Sequence, residues 1–171
     1  MRRSLAAVLC LASTVTASSC RDALAPERAQ LVGEWATKRA SIGGGSTYQM
    51  SFRFDGDGSY ETQVTNFGAY GQGADAVSSY VRFQGRYYVS CDKLFLAATL
   101  QITWDSFYGA ASPPRVEKVP LSIEPGPGDA DPCGAVGGYR YSRVGDVLVF
   151  SYLSYPADAP VETTMVLYRM R

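Results

Sequence analysis

Histidine is absent from all 171 residues. The chain therefore lacks the commonest general base and the commonest transition-metal ligand. A Ser-His-Asp triad is excluded, as are zinc sites of the usual His-containing kinds. Runs of Lys and Arg are missing too, and sixteen basic residues balance sixteen acidic ones. Phosphate backbones are held mainly by clustered cations, so a nucleic-acid partner has no electrostatic support. No apolar stretch reaches the roughly 20 residues that a membrane-spanning helix needs. None shows the sustained 3.6-residue period of a long amphipathic helix, which argues against parallel βαβ units. With no nucleophile motif either, the chain reads as a non-enzyme, with no cofactor and no metal site.

What is present begins with a leader. Met1-Arg2-Arg3 is a short basic head, and "SLAAVLCLASTVTA" (4–17) is apolar or small and uncharged. A basic head, a short apolar core and a small-residue end make a secretory signal peptide. Two cleavage sites compete. Val15-Thr16-Ala17 fits ordinary cleavage after Ala17. Ala17-Ser18-Ser19-Cys20 resembles the bacterial lipoprotein box, which implies a diacylglycerol thioether on Cys20 and an acylated amine. Several buried acyl chains, at ~0.8 kcal/mol per CH₂, would hold such a protein firmly on a membrane.

Cysteine arithmetic favours the lipoprotein reading. The four cysteines are Cys10, Cys20, Cys91 and Cys133, and Cys10 leaves with the leader. Three remain, an odd number for an exported chain. A lipid on Cys20 leaves Cys91 and Cys133 to form a disulfide, which export permits. The division expected is a signal peptide at 1–19, a lipidated cysteine and tether at 20–30, and one domain at 31–171. Loss of Arg2 and Arg3 leaves the mature chain with a net charge of −2. The tether "RDALAPERAQ" is a short leash or a single helical turn opening at Pro26.

From Leu31 onward the period is two. "TYQMSFRF" puts Tyr48, Met50, Phe52 and Phe54 on one face, against Gln49, Ser51 and Arg53. "DGDGS" (55–59) reads as a hairpin turn in preference to a calcium loop, because strands flank it and Asn66 stands where a bidentate Glu is needed. "YVRFQGRYYV" sets Val81, Phe83, Tyr87 and Val89 against Arg82, Gln84 and Arg86, with Gly85 marking a bulge or bend. "LFLAATLQITW" places Leu94, Leu96, Leu100, Ile102 and Trp104 on one side. Pro120 points to an edge or irregular strand. Repeating these readings along the chain gives about nine strands. Short strands joined by Gly-, Pro-, Asp- and Ser-rich connections predict an all-β, antiparallel up-and-down barrel, since closure removes sheet edges.

"LVGEW" (31–35) resembles the Gly-x-Trp opening of the lipocalins and their bacterial lipocalin-like relatives. The resemblance implies a barrel with a short N-terminal helix or turn. It also implies that Trp35, in an opening that begins at Gly33, plugs the closed end of the barrel and that Arg169, with Arg171 as a substitute, packs over the tryptophan. Independently of any family, a guanidinium stacked on an indole is worth ~0.5–2 kcal/mol.

Two functions follow as expectations. In the first, a small apolar ligand sits in the barrel, lined by Tyr48, Met50, Phe52, Phe54, Tyr87 and Trp104. In the second, the barrel is filled and serves an envelope protein partner through its loops. Both place the protein in a bacterial cell envelope, attached to the membrane through its lipid.

Overall fold

A computed structural model describes residues 26–68, 73–90, 92–106, 112–119, 138–154 and 161–171. Cys20, Cys91, Cys133 and Pro120, and with them the lipidation and disulfide expectations, lie outside the described residues. Among the described residues, one helical turn, α1 (Pro26–Ala29), precedes ten strands. Pro26 opens it, at a position where a missing amide hydrogen costs nothing. The strands are β1 (Gly33–Ala36), β2 (Ala40–Gly43), β3 (Ser46–Phe54), β4 (Ser59–Phe67) and β5 (Val77–Ser90), followed by β6 (Lys93–Asp105), β7 (Arg115–Lys118), β8 (Tyr139–Val144), β9 (Val147–Ser154) and β10 (Val161–Arg169).

Every pairing is antiparallel, and β1 joins both β10 and β3, which closes the sheet. The closed path is β1-β10-β9-β8-β6-β5-β4-β3, an eight-strand barrel. Two strands lie off it. β2 continues the edge of β3 beyond β1, and β7 pairs only with β6 among the described residues. β7 and β8 meet the same edge of β6 at different heights. β7 covers Leu100–Thr103 and β8 covers Lys93 and Leu94. Among the described residues, two pairs join β6 to β8, at the end where the core sits.

That core is aromatic. Leu31, Trp35, Phe52, Phe54, Tyr60, Tyr87, Leu94, Leu148, Phe150 and Leu167 form one buried cluster. Leu31, the first buried residue described, marks where the packed domain begins. Phe52 meets Phe150 edge to face at 5.5 Å, and Phe54 meets Tyr87 in the same way at 5.1 Å. Burying each such side chain is worth ~1.5–3 kcal/mol. The register shows why the alternation in "TYQMSFRF" points as it does. Phe52 stands opposite both Trp35 on β1 and Thr62 on β4, while Arg53 pairs with Glu61 on the outside.

One expectation about facing is overturned. Gln84 pairs with Leu100 but Gly85 pairs with Ala98, so Thr99 is an extra residue bulged out of β6. A bulge shifts the strand by one position, and a one-residue shift exchanges the two faces. Leu94 and Leu96 point inward, opposite Val89 and Tyr87, whereas Leu100, Ile102 and Trp104 point outward, opposite Gln84, Arg82 and Tyr80. Trp104 is not an interior residue: its ring stacks on Tyr80 at 5.8 Å on the outer surface.

Candidate functional site

The two ends of the barrel differ. At the core end, Trp35 is fully buried and its indole Nε1 donates to the Leu31 carbonyl at 2.7 Å. Trp35 stands directly opposite Arg169 in the β1–β10 ladder. The Arg169 guanidinium lies 5.7 Å from the indole centroid, and a Cβ built on Gly33 would stand 3.4 Å from its Nη2. Gly33 also holds a φ of 135°, which L side chains rarely adopt. The glycine therefore serves both the backbone turn into β1 and the passage of the arginine across it.

A second arginine, which the sequence reading missed, joins them. Arg143 on β8 lies 5.2 Å from the Trp35 centroid, and its Nη1 donates to the Gln30 carbonyl at 3.1 Å. Its signal was legible in "YRYSRV": alternation puts Arg143 on the face of Tyr139 and Tyr141, where a lone cation needs a partner. The Tyr141 hydroxyl donates to the Glu27 carbonyl at 3.2 Å, so α1 is tied across this end.

At the other end the inward positions change character. The β3–β4 and β4–β5 registers place Met50, Val64 and Val81 in one layer, and Tyr48, Asn66 and Ser79 in the layer above. β6 adds Gln101 and Thr103, opposite Phe83 and Val81. β9 and β10 add Tyr152 opposite Thr163, and Ser154 opposite Val161. Most of these inward side chains are half-buried, in contrast to the sealed core below them. Among the described residues, these inward yet partly solvent-reached positions outline the wall of a cup at the end remote from Trp35. Its rim is polar and internally paired. Asn66 Nδ2 donates to Ser79 Oγ at 2.9 Å, and the Ser154 and Thr163 hydroxyls lie 2.5 Å apart.

The floor of the cup carries phenols. Tyr139 packs on Phe150 at 5.5 Å and on Tyr152 at 5.2 Å. Burial pushes the Tyr60 hydroxyl up to about 12, with Tyr139 adding to the shift. Burial, then Tyr152, raises Tyr139 in the same sense. These phenols are neutral hydrogen-bonding groups, not bases, at physiological pH.

The six expected lining residues separate accordingly. Tyr48 lies at the rim and Met50 at the floor. Phe52, Phe54 and Tyr87 are core, with the Tyr87 hydroxyl held by the Asp55 carbonyl at 2.9 Å. Trp104 is outside. Residues that the sequence reading did not assign to a ligand, Val64, Phe83, Tyr139 and Tyr152 among them, make the wall and floor instead. The outer face of β3–β5 carries Arg53, Glu61, Gln63, Arg82 and Gln84, which is not the apolar band of a membrane-spanning barrel. The "DGDGS" segment is a turn in which Asp57 Oδ1 accepts from the Ser59 amide at 2.8 Å and from its hydroxyl at 2.6 Å.

Compared with known protein families, curated proteins and solved structures, the chain matches none.

Proposed function

We propose that this protein is a lipid-anchored envelope barrel that binds a small, largely apolar molecule in its cup. The observation that carries the reading is the asymmetry of the interior. Around Trp35, Phe54 and Phe150 most inward side chains are fully buried, whereas nearly all of those described above Phe150 are only half-buried. A barrel serving only as a rigid platform gains nothing from leaving apolar inward positions such as Val64, Val81 and Phe83 open to water. A ligand would cover them, with its apolar body against Met50, Val81 and Phe83 and its polar end among the rim hydroxyls and amides. Small-molecule sites are mostly apolar with a few placed polar groups, and this lining has that composition.

The anchor fits this geometry. Cys20 precedes Pro26 by six residues, a reach of no more than roughly 20 Å. Since α1 is tied over the Trp35 end, a lipid on Cys20 would hold that end toward the membrane and turn the cup away from it.

Titration of the purified protein with an uncharged apolar naphthylamine probe tests the cup. Saturable uptake is expected, abolished by Val81→Trp, which fills the wall, and altered by Phe83→Ala, which widens it. Uptake indifferent to both changes, or none at all, would transfer the case to a partner-binding barrel. For the anchor, Cys20→Ser should release the protein from membranes, and a mature chain beginning at Ser18 would refute lipidation.

A further inference from the structure

We infer a second binding surface, on the outside of the barrel, for a neutral oligosaccharide. The outward row Arg53, Glu61, Gln84 and Leu100 crosses β3 to β6 at one height. Beside it Thr99 bulges from β6, and the wall is dented into a cleft of about 420 Å³ lined by these side chains and by Arg86. Gly85 also lines the cleft, and β5 and β6 approach so closely there that an added Cβ would lie 1.9 Å from the Ala97 carbonyl oxygen. Four residues before Gln84 along β5, about 13 Å away, stands Tyr80. Its ring stacks on Trp104 with an interplanar angle of 22°, and both rings face outward. Cleft and aromatic shelf therefore lie in line on one face.

The chemistry between them is specific. Arg82 Nε donates to Gln63 Oε1 at 2.8 Å and lies 3.4 Å from Glu61, while Gln84 Nε2 donates to Glu61 Oε2 at 2.7 Å. Planar amide, carboxylate and guanidinium groups are thus fixed side by side before any ligand arrives, which lowers the entropic cost of binding. They offer donors and acceptors in alternation. Their charges cancel. Arg82 is matched by Glu61, Arg53 by Asp55 at 3.1 Å and Arg86 by Asp57 at 3.6 Å. An anionic polymer would need unmatched cations, and an apolar tail or helix would need a continuous apolar groove. A chain of neutral sugars needs what this face has, which is paired hydrogen-bonding groups for its hydroxyls and, beside a Tyr80 ring already covered by Trp104 and by Arg82 at 5.5 Å, the half-buried Trp104 indole for its C–H faces.

The chain has two tryptophans, and Trp35 is fully buried, so Trp104 is a built-in reporter. The full-length protein is titrated with linear neutral oligosaccharides of glucose, of mannose and of N-acetylglucosamine, followed by tryptophan emission and by calorimetry. Saturable binding to one series is expected, weakened about tenfold or more, ~1.4 kcal/mol, by Trp104→Ala and by Gln84→Ala. Val81→Trp, which fills the cup, should leave sugar binding unchanged and so separates this surface from the interior site. Near-ultraviolet circular dichroism verifies that the variants remain folded. Three results would overturn the inference: no saturable response to any series, binding that survives both surface variants, or binding only to anionic polysaccharide or to peptide.

Discussion

Arg143 lies over the Trp35 ring, 5.2 Å from guanidinium carbon to ring centroid, and the same guanidinium bonds the Gln30 carbonyl at 3.1 Å. One side chain thereby joins β8, β1 and the end of α1. Arg169 approaches the same indole at 5.7 Å but is an exposed residue, whereas Arg143 is half-buried. A partly desolvated cation on an aromatic face is worth more than an exposed one. Arg143→Met, which keeps the apolar stem, should therefore lower stability by about 1–2 kcal/mol, and Arg169→Met by about 0.5–1 kcal/mol. Urea denaturation measures both. Equal or negligible losses would show that the indole is held by packing alone.

The bulge at Thr99 has its own test. A Cβ at Gly85 would meet the Ala97 oxygen at 1.9 Å and the Ala98 Cα at 2.9 Å, and neither belongs to a mobile side-chain tip. Gly85→Ala must move backbone, so a loss of more than about 3 kcal/mol or a failure to fold is expected. Gly145 is the control: it has a φ of 59° but nothing within 4 Å of an added Cβ. Gly145→Ala should cost only about 1–2 kcal/mol of left-handed backbone strain. Comparable losses at the two sites would mean that the close approach at Gly85 relaxes freely.

Why the sequence showed the barrel but misplaced part of its interior lining follows from these residues. Alternation in β3 and β5 is unbroken, so Phe52, Phe54 and Tyr87 could be placed on an inner face from spacing alone. The same rule failed at Trp104 because one bulged residue exchanges every later face, and "LAATLQ" gives no local sign of where the extra residue falls. Gly85 did mark the bulge, but from the neighbouring strand. Depth along the barrel was invisible as well. Spacing says that Phe52 and Tyr48 share a face, not that one is sealed beneath Phe150 while the other meets water. Height is set by cross-strand register, which depends on contacts distant in sequence. The Gly33, Trp35 and Arg169 grouping was accessible only through the resemblance of "LVGEW" to the lipocalin opening, because spacing alone cannot pair the first strand with the last.

The facing of Trp104 can be read directly. Trp35 is fully buried, and Trp104 is half-buried on the outer surface. A neutral quencher such as acrylamide should therefore act on one emission component and spare the other, and Trp104→Phe should remove the quenched component. Stability gives a second reading. Phe52→Ala opens a void against Phe54 and Phe150 and should cost ~3–5 kcal/mol, whereas Trp104→Ala should cost about 1 kcal/mol. If Trp104→Ala proves as damaging as Phe52→Ala, the indole points inward and the bulge is misplaced.

Alkaline pH probes the phenols on the cup floor. A tyrosine is neutral when protonated, and burial disfavours its anion, which is why Tyr60 rises from 10.0 to about 12. The unfolded chain releases its proton near pH 10, while the folded protein retains it. Between those two values the folded state binds more protons than the unfolded one, so each step up in pH favours unfolding. The contribution of Tyr60 is complete below pH 10 and is lost as the pH climbs toward 12. Tyr87, Tyr139 and Tyr141 are raised chiefly by burial too and act in the same direction. Urea midpoints should hold level up to about pH 10 and then fall. Tyr60→Phe has no proton to lose and should flatten part of that fall, with Tyr139→Phe flattening more of it. Ultraviolet titration of the folded protein should show a set of phenols ionising late. If all tyrosines titrate together near 10, the floor of the cup is wet, and the neutral hydrogen-bonding groups assigned to it are no different from those on the surface.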